Sequence, residues 1–292
     1  MQVERTDEHP PAESAVPICN EQRCQISVLI ASLGRPSLIT ALQSILGRSS
    51  VRFEVVLVLD DPDVAAERLL AEIPPAQRHA IRVIQNPENL GLTRSLNRGL
   101  AQCRGEFIAR LDDDDRFSSE RLEQVVEQFQ AHPEVGVIVS GTRVIDGERH
   151  YQLTVPAEHD AIAEALQHRN ILVHSAFNVR RTVLQRVGGY NEAYRYAQDY
   201  ELYLRLLRNG VRFMGVNQPL AERNEEEGTI TVSRRQHQAL FSLSALCLHH
   251  ASTWRGDGDQ VRAICTAFAR FVAPKSLRKG VRWLRAVSRG EG

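Results

Sequence analysis

Residues 26–46 read ISVLIASLGRPSLITALQSIL, and residues 53–61 read FEVVLVLDD. Ile26 to Ala31 and Phe53 to Leu59 are continuous apolar runs, which are typical of strands buried on both faces of a sheet. Between the two runs, apolar residues recur at helical spacing at Leu38, Leu42, Ile45 and Leu46. The stretch therefore predicts a β-α-β unit, whose two strands run parallel.

The same alternation continues along the chain. Ile81 to Ile84 predicts a strand, Leu92 to Ala101 a helix, and Glu106 to Leu111 a further strand. This order predicts an α/β fold with a doubly wound, mainly parallel sheet flanked by helices, in which ligands bind beyond the carboxyl ends of the strands. Polar segments follow three of the predicted strands, at Ser32 to Arg35, Asp60-Asp61 and Asp112 to Asp115. We therefore expect these segments to converge at one edge of the sheet.

The remaining chain divides into further elements. The pattern predicts a helix over Glu120 to Ala131, strands over Val135 to Ser140 and Ile171 to Val179, a helix over Asp199 to Asn209, and helical structure from Arg234 onward. Residues 1–24 are polar and rich in Glu and Pro, which predicts a mobile arm. The sequence thus predicts three parts: a mobile N-terminal arm (1–24), an α/β domain (25–233) and a helical C-terminal extension (234–292).

The end of this extension is basic and amphipathic. Between Lys275 and Arg289, apolar residues alternate with arginine and lysine at helical spacing, and Trp283 lies among them. Such a segment is either a solvated helix packed on the domain or an element that lies on a membrane surface. The second alternative predicts peripheral contact with the inner face of the membrane.

Composition excludes several classes of protein. The 36 basic and 36 acidic side chains give a net charge of zero, so no overall attraction to nucleic acid is expected. The chain lacks a long apolar stretch and a basic-then-apolar N-terminus, which predicts a cytoplasmic protein. Its five cysteines are scattered without C-x-x-C spacing, so we expect reduced thiols and neither a disulfide framework nor a zinc site.

Four consecutive aspartates, Asp112 to Asp115, follow an apolar strand. Carboxylates this close repel one another unless they are exposed, protonated or neutralised by a cation. Hard oxygen ligands in this number suit Mg²⁺ or Mn²⁺, which uses one or two carboxylates and leaves other positions to water and phosphate oxygens. The alternative is a solvated acidic loop, although Ser118, Ser119 and Glu120 already suffice to cap the next helix. The position at a strand end favours a metal and diphosphate site.

Four segments together resemble the inverting, non-processive family 2 glycosyltransferases of GT-A fold, as found in bacterial polysaccharide synthesis. In chain order they read ISVLIASLGRPSLITALQSIL, EVVLVLDD, NPENLGLTRSLNRGLAQCRGEFIARLDDDDRF and NILVHSAFNVRRTVLQRVGGYNEAYRYAQDYELYLRLLRNG, between residue 26 and about residue 233. The third segment is the most specific match. The fourth resembles the acceptor-side half, which holds the catalytic base in this family.

The resemblance implies a role for each matching residue on the donor side. Asp114 is implied as the principal ligand of Mn²⁺ or Mg²⁺. The implied donor-binding residues are Asp112 and Asp113 for the nucleotide sugar, Asp60 and Asp61 for the base, Ala31 and Ser32 for the wall of the nucleotide pocket, and His174 for the lining of the site. Arg35 and Arg94 add candidate phosphate contacts, because Arg35 lies in a strand-end loop and Arg94 lies opposite a leucine stripe.

The acceptor side departs from the family pattern at one position. The family's Glu-Asp dipeptide is here Gln198-Asp199, so Asp199 is the remaining candidate for the general base. The alternative for Asp199 is an ordinary helix N-cap, with Glu201 as the next candidate base. A Gln-x-x-Arg-Trp element, which processive members carry, is absent from the sequence, since the nearest context at Ser233 to Gln236 lacks the Trp. Transfer of a single sugar is therefore expected.

The implied reaction is displacement at the anomeric carbon of a nucleotide diphosphate sugar by a hydroxyl of a saccharide or lipid-linked saccharide acceptor. Two other functions stay open from the sequence. A nucleotidyltransferase can have a similar sheet, although ASLGRPS is a poor version of its phosphate-binding loop. A catalytically inactive nucleotide-sugar-binding scaffold is the other, because Gln198 removes a carboxylate.

Overall fold

The computed structural model describes residues 24–47, 49–224, 235–253 and 258–272. The predicted arm before Cys24, the predicted domain boundary at residues 233 and 234, and the basic segment from Lys275 to Arg289 lie outside these ranges. No helix within them is both long enough and apolar enough to span a bilayer.

Nine strands of the described chain form one sheet. They are β1 (Ile26–Ser32), β2 (Phe53–Leu59), β3 (Ile81–Gln85), β4 (Phe107–Arg110), β5 (Arg116–Phe117), β6 (Val135–Asp146), β7 (Arg149–Leu153), β8 (Phe177–Arg180) and β9 (Arg212–Asn224). The helices are α1 (Ser37–Ile45), α2 (Ala66–Leu70), α3 (Pro75–Arg78), α4 (Leu92–Leu100), α5 (Arg121–Ala131), α6 (His159–Leu166), α7 (Arg181–Arg186), α8 (Gln198–Arg208), α9 (Arg235–Ser252) and α10 (Gly258–Val272).

The strand order is β3-β2-β1-β4-β8-β6-β9-β5, and β7 pairs with β6. The first four strands are mutually parallel, which confirms the predicted α/β fold. Beyond β4 the sheet is mixed, because β8 runs antiparallel to both β4 and β6, whereas β6 and β9 are parallel. Every residue of β1 and β2 is buried, as their continuous apolar runs predict.

Helices cover both faces of the parallel half. Helix α1 packs on one face through Leu38, Leu42 and Ile45, and α4 packs on the other through Leu96 and Leu100. A glycine at position 99 allows α4 to approach the sheet closely, since a Cβ there would lie 2.4 Å from the Leu29 side chain and 2.8 Å from the Val58 side chain. These contacts fix the loops at the carboxyl ends of β1 and β2.

Two expectations differ from the structure. The strand predicted over Ile171 to Val179 is confined to β8, because the preceding residues His174–Ala176 form a short 3-10 helix. A run of buried residues cannot distinguish these two conformations by periodicity. Cys103, Cys247 and Cys265 are free thiols as expected, but Cys24 is disulfide-bonded, so the expectation of reduced thiols is wrong at that position.

Candidate active site

A cavity of about 760 Å³ opens at the carboxyl ends of β1 and β4 and at the amino end of α8. Nine of the eleven residues that the sequence singles out line this cavity: Ala31, Ser32, Arg35, Asp60, Asp112, Asp113, Asp114, His174 and Asp199. The polar segments of the parallel half therefore share a cavity with the acceptor-side segment.

Asp61 and Arg94, the other two predicted donor-binding residues, do not line the cavity. The Asp61 carboxylate accepts a hydrogen bond of 2.9 Å from the backbone N–H of Asp63 and stabilises the turn after β2. Arg94 forms an ion pair of 3.4 Å with Glu192 at the surface, and both side chains are more than half exposed. Arg94 thus lies on the exposed face of α4 outside the cavity lining, and its contact with a phosphate stays a prediction.

Asp60 lines the cavity, but its carboxylate is engaged by the protein. One oxygen accepts hydrogen bonds from the Asn86 side chain at 2.7 Å and from the Leu90 backbone at 2.8 Å, and the other accepts one of 2.9 Å from the Gly91 backbone. Gly91 has a φ of 83°, which favours glycine. In this structure Asp60 holds the loop that leads into α4.

Asp112 is the most tightly positioned of the four consecutive aspartates. One Asp112 oxygen pairs with the buried guanidinium of Arg110, and the other accepts a hydrogen bond of 3.1 Å from the Ser175 hydroxyl. The Arg110 guanidinium also donates to the carbonyl of Leu29 at 3.1 Å. Burial acts to raise the pKa of Asp112, but the charge of Arg110, together with His174 and Ser175, outweighs it and lowers the pKa. This carboxylate is therefore ionised at neutral pH.

The next three aspartates share one cause of an altered pKa. Burial raises the pKa of Asp113. Two contacts act in the opposite direction and lower this pKa: the Ser32 hydroxyl donates to the carboxylate at 2.5 Å, and the Arg35 guanidinium lies 4.0 Å away. Burial, followed by repulsion from Asp112, raises the pKa of Asp114 to about 6 and that of Asp115 to about 8. Full ionisation of the cluster would therefore place more negative charge there than its neighbouring cations neutralise.

This donor set fits a hard divalent cation. Its oxygens are carboxylates whose mutual repulsion a cation would relieve. The described residues contain no group of three or more His, Cys, Asp or Glu side chains arranged as a metal site. An ion that takes few protein ligands and completes its shell with phosphate oxygens and water matches such a set, and a zinc-like cage does not.

Asp199 lies in the first turn of α8. Burial raises the pKa of Asp199, opposed by the backbone N–H of Tyr200 and by the Asn170 amide, which donates to the carboxylate at 2.9 Å. The N-cap position itself belongs to Ala197, whose φ of 52° is the only positive φ of a non-glycine residue among those described. Such backbone strain is often found at functional sites.

His174 is a neutral group in the structure. Its Nε2 lies 2.9 Å from the Tyr190 hydroxyl, and burial, followed by the charge of Arg110, lowers the pKa of His174 to about 3. The ring packs edge-on against Tyr190, with 5.7 Å between the ring centroids. It therefore lines the cavity without carrying charge at neutral pH.

Sequence reasoning missed the residues that support the aspartates from behind. Arg121, fully buried, donates to the carbonyl of Ser175 and to Asn178 at 3.1 Å, and its guanidinium lies 3.8 Å from the Phe117 ring centroid. Arg110 is also buried. The signal for Arg110 was available, because an arginine within the apolar segment FIARL requires an acceptor when the strand is buried. Arg121 gave no such signal, since the charged neighbours Glu120 and Glu123 are typical of an exposed segment.

Comparisons with known proteins agree with this arrangement. The family model described as Glycosyl transferase family 2 matches residues 16–192, well over half of the chain. The amylovoran biosynthesis glycosyltransferase AmsE of Erwinia amylovora is 31% identical over 161 residues, which is 54% of this chain and 59% of AmsE. The match thus spans less than two thirds of that relative.

Two further similarities extend over more of the chain. The UDP-Gal:alpha-D-GlcNAc-diphosphoundecaprenol beta-1,3-galactosyltransferase of Escherichia coli is 29% identical over 205 residues, covering 68% of this chain and 73% of the relative. The crystal structure of S. aureus TarS 1–349 in complex with UDP-GlcNAc is 17% identical and has a TM-score of 0.66, covering 84% of this chain and 72% of that chain. The chain therefore belongs to glycosyltransferase family 2 and has the GT-A fold.

Proposed function

We propose that this chain transfers a single sugar, with inversion and with the help of a divalent metal, from a nucleotide diphosphate sugar to an acceptor hydroxyl. One observation carries the proposal. The aspartates at the end of β4 and the buried carboxylate at the start of α8 line the same cavity. Family membership leaves the nucleotidyltransferase alternative without support.

The donor side is formed by β1, β4 and the loops that follow them. Asp112 is held by Arg110 and Ser175 in one orientation, so its carboxylate is ready to accept hydrogen bonds from hydroxyls of the nucleotide sugar. Arg35 is 39% exposed and lies at the cavity wall, where its guanidinium can contact a phosphate oxygen. Ala31 and Ser32 complete this wall.

Asp114 and the neighbouring carboxylates would hold Mn²⁺ or Mg²⁺. When bound, the ion supplies positive charge to the diphosphate as it departs. Asp114 is the best candidate ligand because it is partly exposed to the cavity and its pKa is raised, first by burial and then by repulsion from Asp112 and Asp113, which a bound cation would relieve.

Asp199 is proposed as the general base. The acceptor hydroxyl transfers its proton to the Asp199 carboxylate while its oxygen forms a bond to the anomeric carbon, and the bond from that carbon to the phosphate oxygen breaks. Attack on the side opposite the leaving group inverts the configuration. The Asn170 amide orients the carboxylate, and the raised pKa of Asp199 makes it a better proton acceptor than an exposed aspartate.

A role in polysaccharide or glycoconjugate synthesis is proposed from the relatives. AmsE is named for amylovoran biosynthesis, and the Escherichia coli relative is named for a diphosphoundecaprenol-linked acceptor. A lipid-linked acceptor would agree with the basic amphipathic sequence near the C-terminus, which favours peripheral membrane contact.

A thermal-shift screen of nucleotide sugars with Mn²⁺ tests the donor. A ligand at one hundred times its Kd stabilises a fold by about 2.7 kcal/mol, which corresponds to roughly 4–5 °C in Tm for a chain of this size. Slow release of a nucleoside diphosphate from the stabilising donor is the expected activity. Release of pyrophosphate from a nucleoside triphosphate would instead indicate a nucleotidyltransferase, and stabilisation without any release would indicate a scaffold.

A further inference from the structure

The cavity extends onto residues that lie beyond the family match. The match ends at residue 192, yet Tyr196, Gln238 and Ser242 line the cavity together with Asp199. Gln238 and Ser242 are four residues apart on α9, so they share one face of that helix. This wall of the cavity therefore lies outside the family match.

Aromatic contacts fix the loop that carries Tyr196. The Tyr196 ring packs on His237 with 5.4 Å between centroids and edge-on against Phe241 at 5.7 Å. The neighbouring Tyr194 also packs on Phe241, and its carbonyl accepts a hydrogen bond of 2.7 Å from Thr93 of α4. The loop is therefore held between α4 and α9. Because Tyr196 lies three residues before Asp199, these contacts fix the position of α9 relative to the proposed base.

The chemistry of this wall differs from that of the donor side. The donor side presents carboxylates, whereas Gln238 offers an amide and Ser242 a hydroxyl, both partly exposed. Neither side chain forms a hydrogen bond with another residue in the described ranges. Neutral groups that both donate and accept, next to an aromatic ring, are suited to a ligand rich in hydroxyl groups.

We propose that Tyr196, Gln238 and Ser242 form the acceptor subsite and that they recognise a saccharide whose reacting hydroxyl points at Asp199. This inference rests on the proposed function, because it assumes that Asp199 accepts the proton of the acceptor. An acceptor bound here has its hydroxyl within reach of the base. The donor is held by a separate part of the cavity.

The test uses the full chain with the nucleotide sugar that gives the largest thermal shift, and the 4-nitrophenyl glycosides of glucose, galactose and N-acetylglucosamine as acceptors. Donor hydrolysis and sugar transfer are measured separately for Gln238→Ala, Ser242→Ala and Tyr196→Phe. Gln236→Ala is the matched control, since Gln236 is exposed on the same helix and does not line the cavity. Tyr196→Phe retains the ring that packs on α9, so it removes only the hydroxyl.

Each of the two α9 substitutions is expected to raise the acceptor KM about 3- to 10-fold, the effect of one lost hydrogen bond. The donor KM and the hydrolysis rate should stay at the wild-type values, as should all values for the control. An unchanged acceptor KM in all three variants, or a parallel rise in the donor KM, would overturn the assignment. Donor hydrolysis without transfer to any glycoside would overturn the saccharide class. A wild-type chain that releases no nucleoside diphosphate would instead refute the proposed function.

Discussion

Replacing Asp199 by Asn separates chemistry from binding at this site. The amide has the size of the carboxylate and keeps an oxygen for the backbone N–H groups at the start of α8, but it cannot accept a proton. General base catalysis typically contributes 10²- to 10⁴-fold, so we expect the transfer rate to fall by about that factor. Donor affinity should be retained, because the proposed donor side is formed by β1, β4 and the loops that follow them.

The structure also predicts the effect on stability. Asn170 donates to the Asp199 carboxylate, and its own oxygen accepts from Leu172, so it cannot rotate to pair with an incoming amide without losing a bond. One lost hydrogen bond costs about 1 kcal/mol. Burial raises the pKa of Asp199 in the folded state above its value in the unfolded state. The preference of the folded state for the protonated carboxyl therefore stabilises the protein fully below the pKa of the unfolded state, and this stabilisation is lost as pH rises through the pKa of the folded state. The asparagine amide carries no charge, so the variant avoids that loss at neutral pH. In the free energy of unfolding, this gain partly offsets the cost of the lost hydrogen bond with Asn170.

Three measurements on the purified variant decide the matter: transfer rate, donor Kd by titration, and free energy of unfolding in urea. The wild-type kcat should also fall as pH drops through the raised pKa of Asp199, because the protonated carboxyl no longer accepts a proton. Near-wild-type transfer by Asp199→Asn would refute the assignment of the base. Glu201, the next candidate from sequence, would not replace it, since Glu201 is buried and paired with Arg205 at 2.9 Å outside the cavity lining.

Other substitutions test the donor side and the C-terminus. Asp114→Ala should abolish the Mn²⁺-dependent increase in donor affinity without lowering Tm, because the residue is partly exposed and is repelled by its neighbours. The control is Asp146→Ala, which lies at an exposed strand end. Unchanged donor affinity in Asp114→Ala would refute the metal assignment. Arg110→Met should weaken donor binding about 10- to 100-fold in equilibrium titration, since Asp112 loses a hydrogen bond between charged groups; the wild-type Kd in this variant would show that Asp112 is oriented without it. Truncation after Ala273 should remove salt-sensitive binding to anionic vesicles in a sedimentation assay, and equal binding by the shortened chain would contradict a membrane role for the basic segment.

The parallel half of the fold was predictable from local pattern. Continuous apolar runs at β1 and β2 require cover on both faces, and only helices supply it in a β-α-β unit. The mixed half was not predictable, because the antiparallel pairing of β8 with β4 and β6 depends on tertiary contacts. Strand β9 was missed for a related reason, since its irregular burial follows from register shifts against β6.

The candidate site was predictable where side chains follow strand ends. Such positions are fixed by topology, so Asp112 and Ser32 lie in the cavity as expected. The position of Arg94 outside the cavity lining was not predictable, because a polar helix face can point to a ligand or to solvent and periodicity does not distinguish them. The wall formed by α9 was not predictable from the sequence, since its position depends on tertiary packing against α8 and against the rings of Tyr194 and Tyr196.

The antiparallel pairing of β4 with β8 has a consequence for folding. Asp112 follows the last strand of the parallel half, but the Ser175 hydroxyl that bonds it belongs to the 3-10 helix that leads into β8. The carboxylate therefore gains the Ser175 hydroxyl, its second partner beside Arg110, only after β8 has paired with β4. A chain that has assembled only the β3-β2-β1-β4 portion would have native-like secondary structure in that portion and little affinity for the donor. Recovery of donor binding during refolding should therefore lag behind recovery of the circular dichroism signal, and it would report the pairing of β8 with β4.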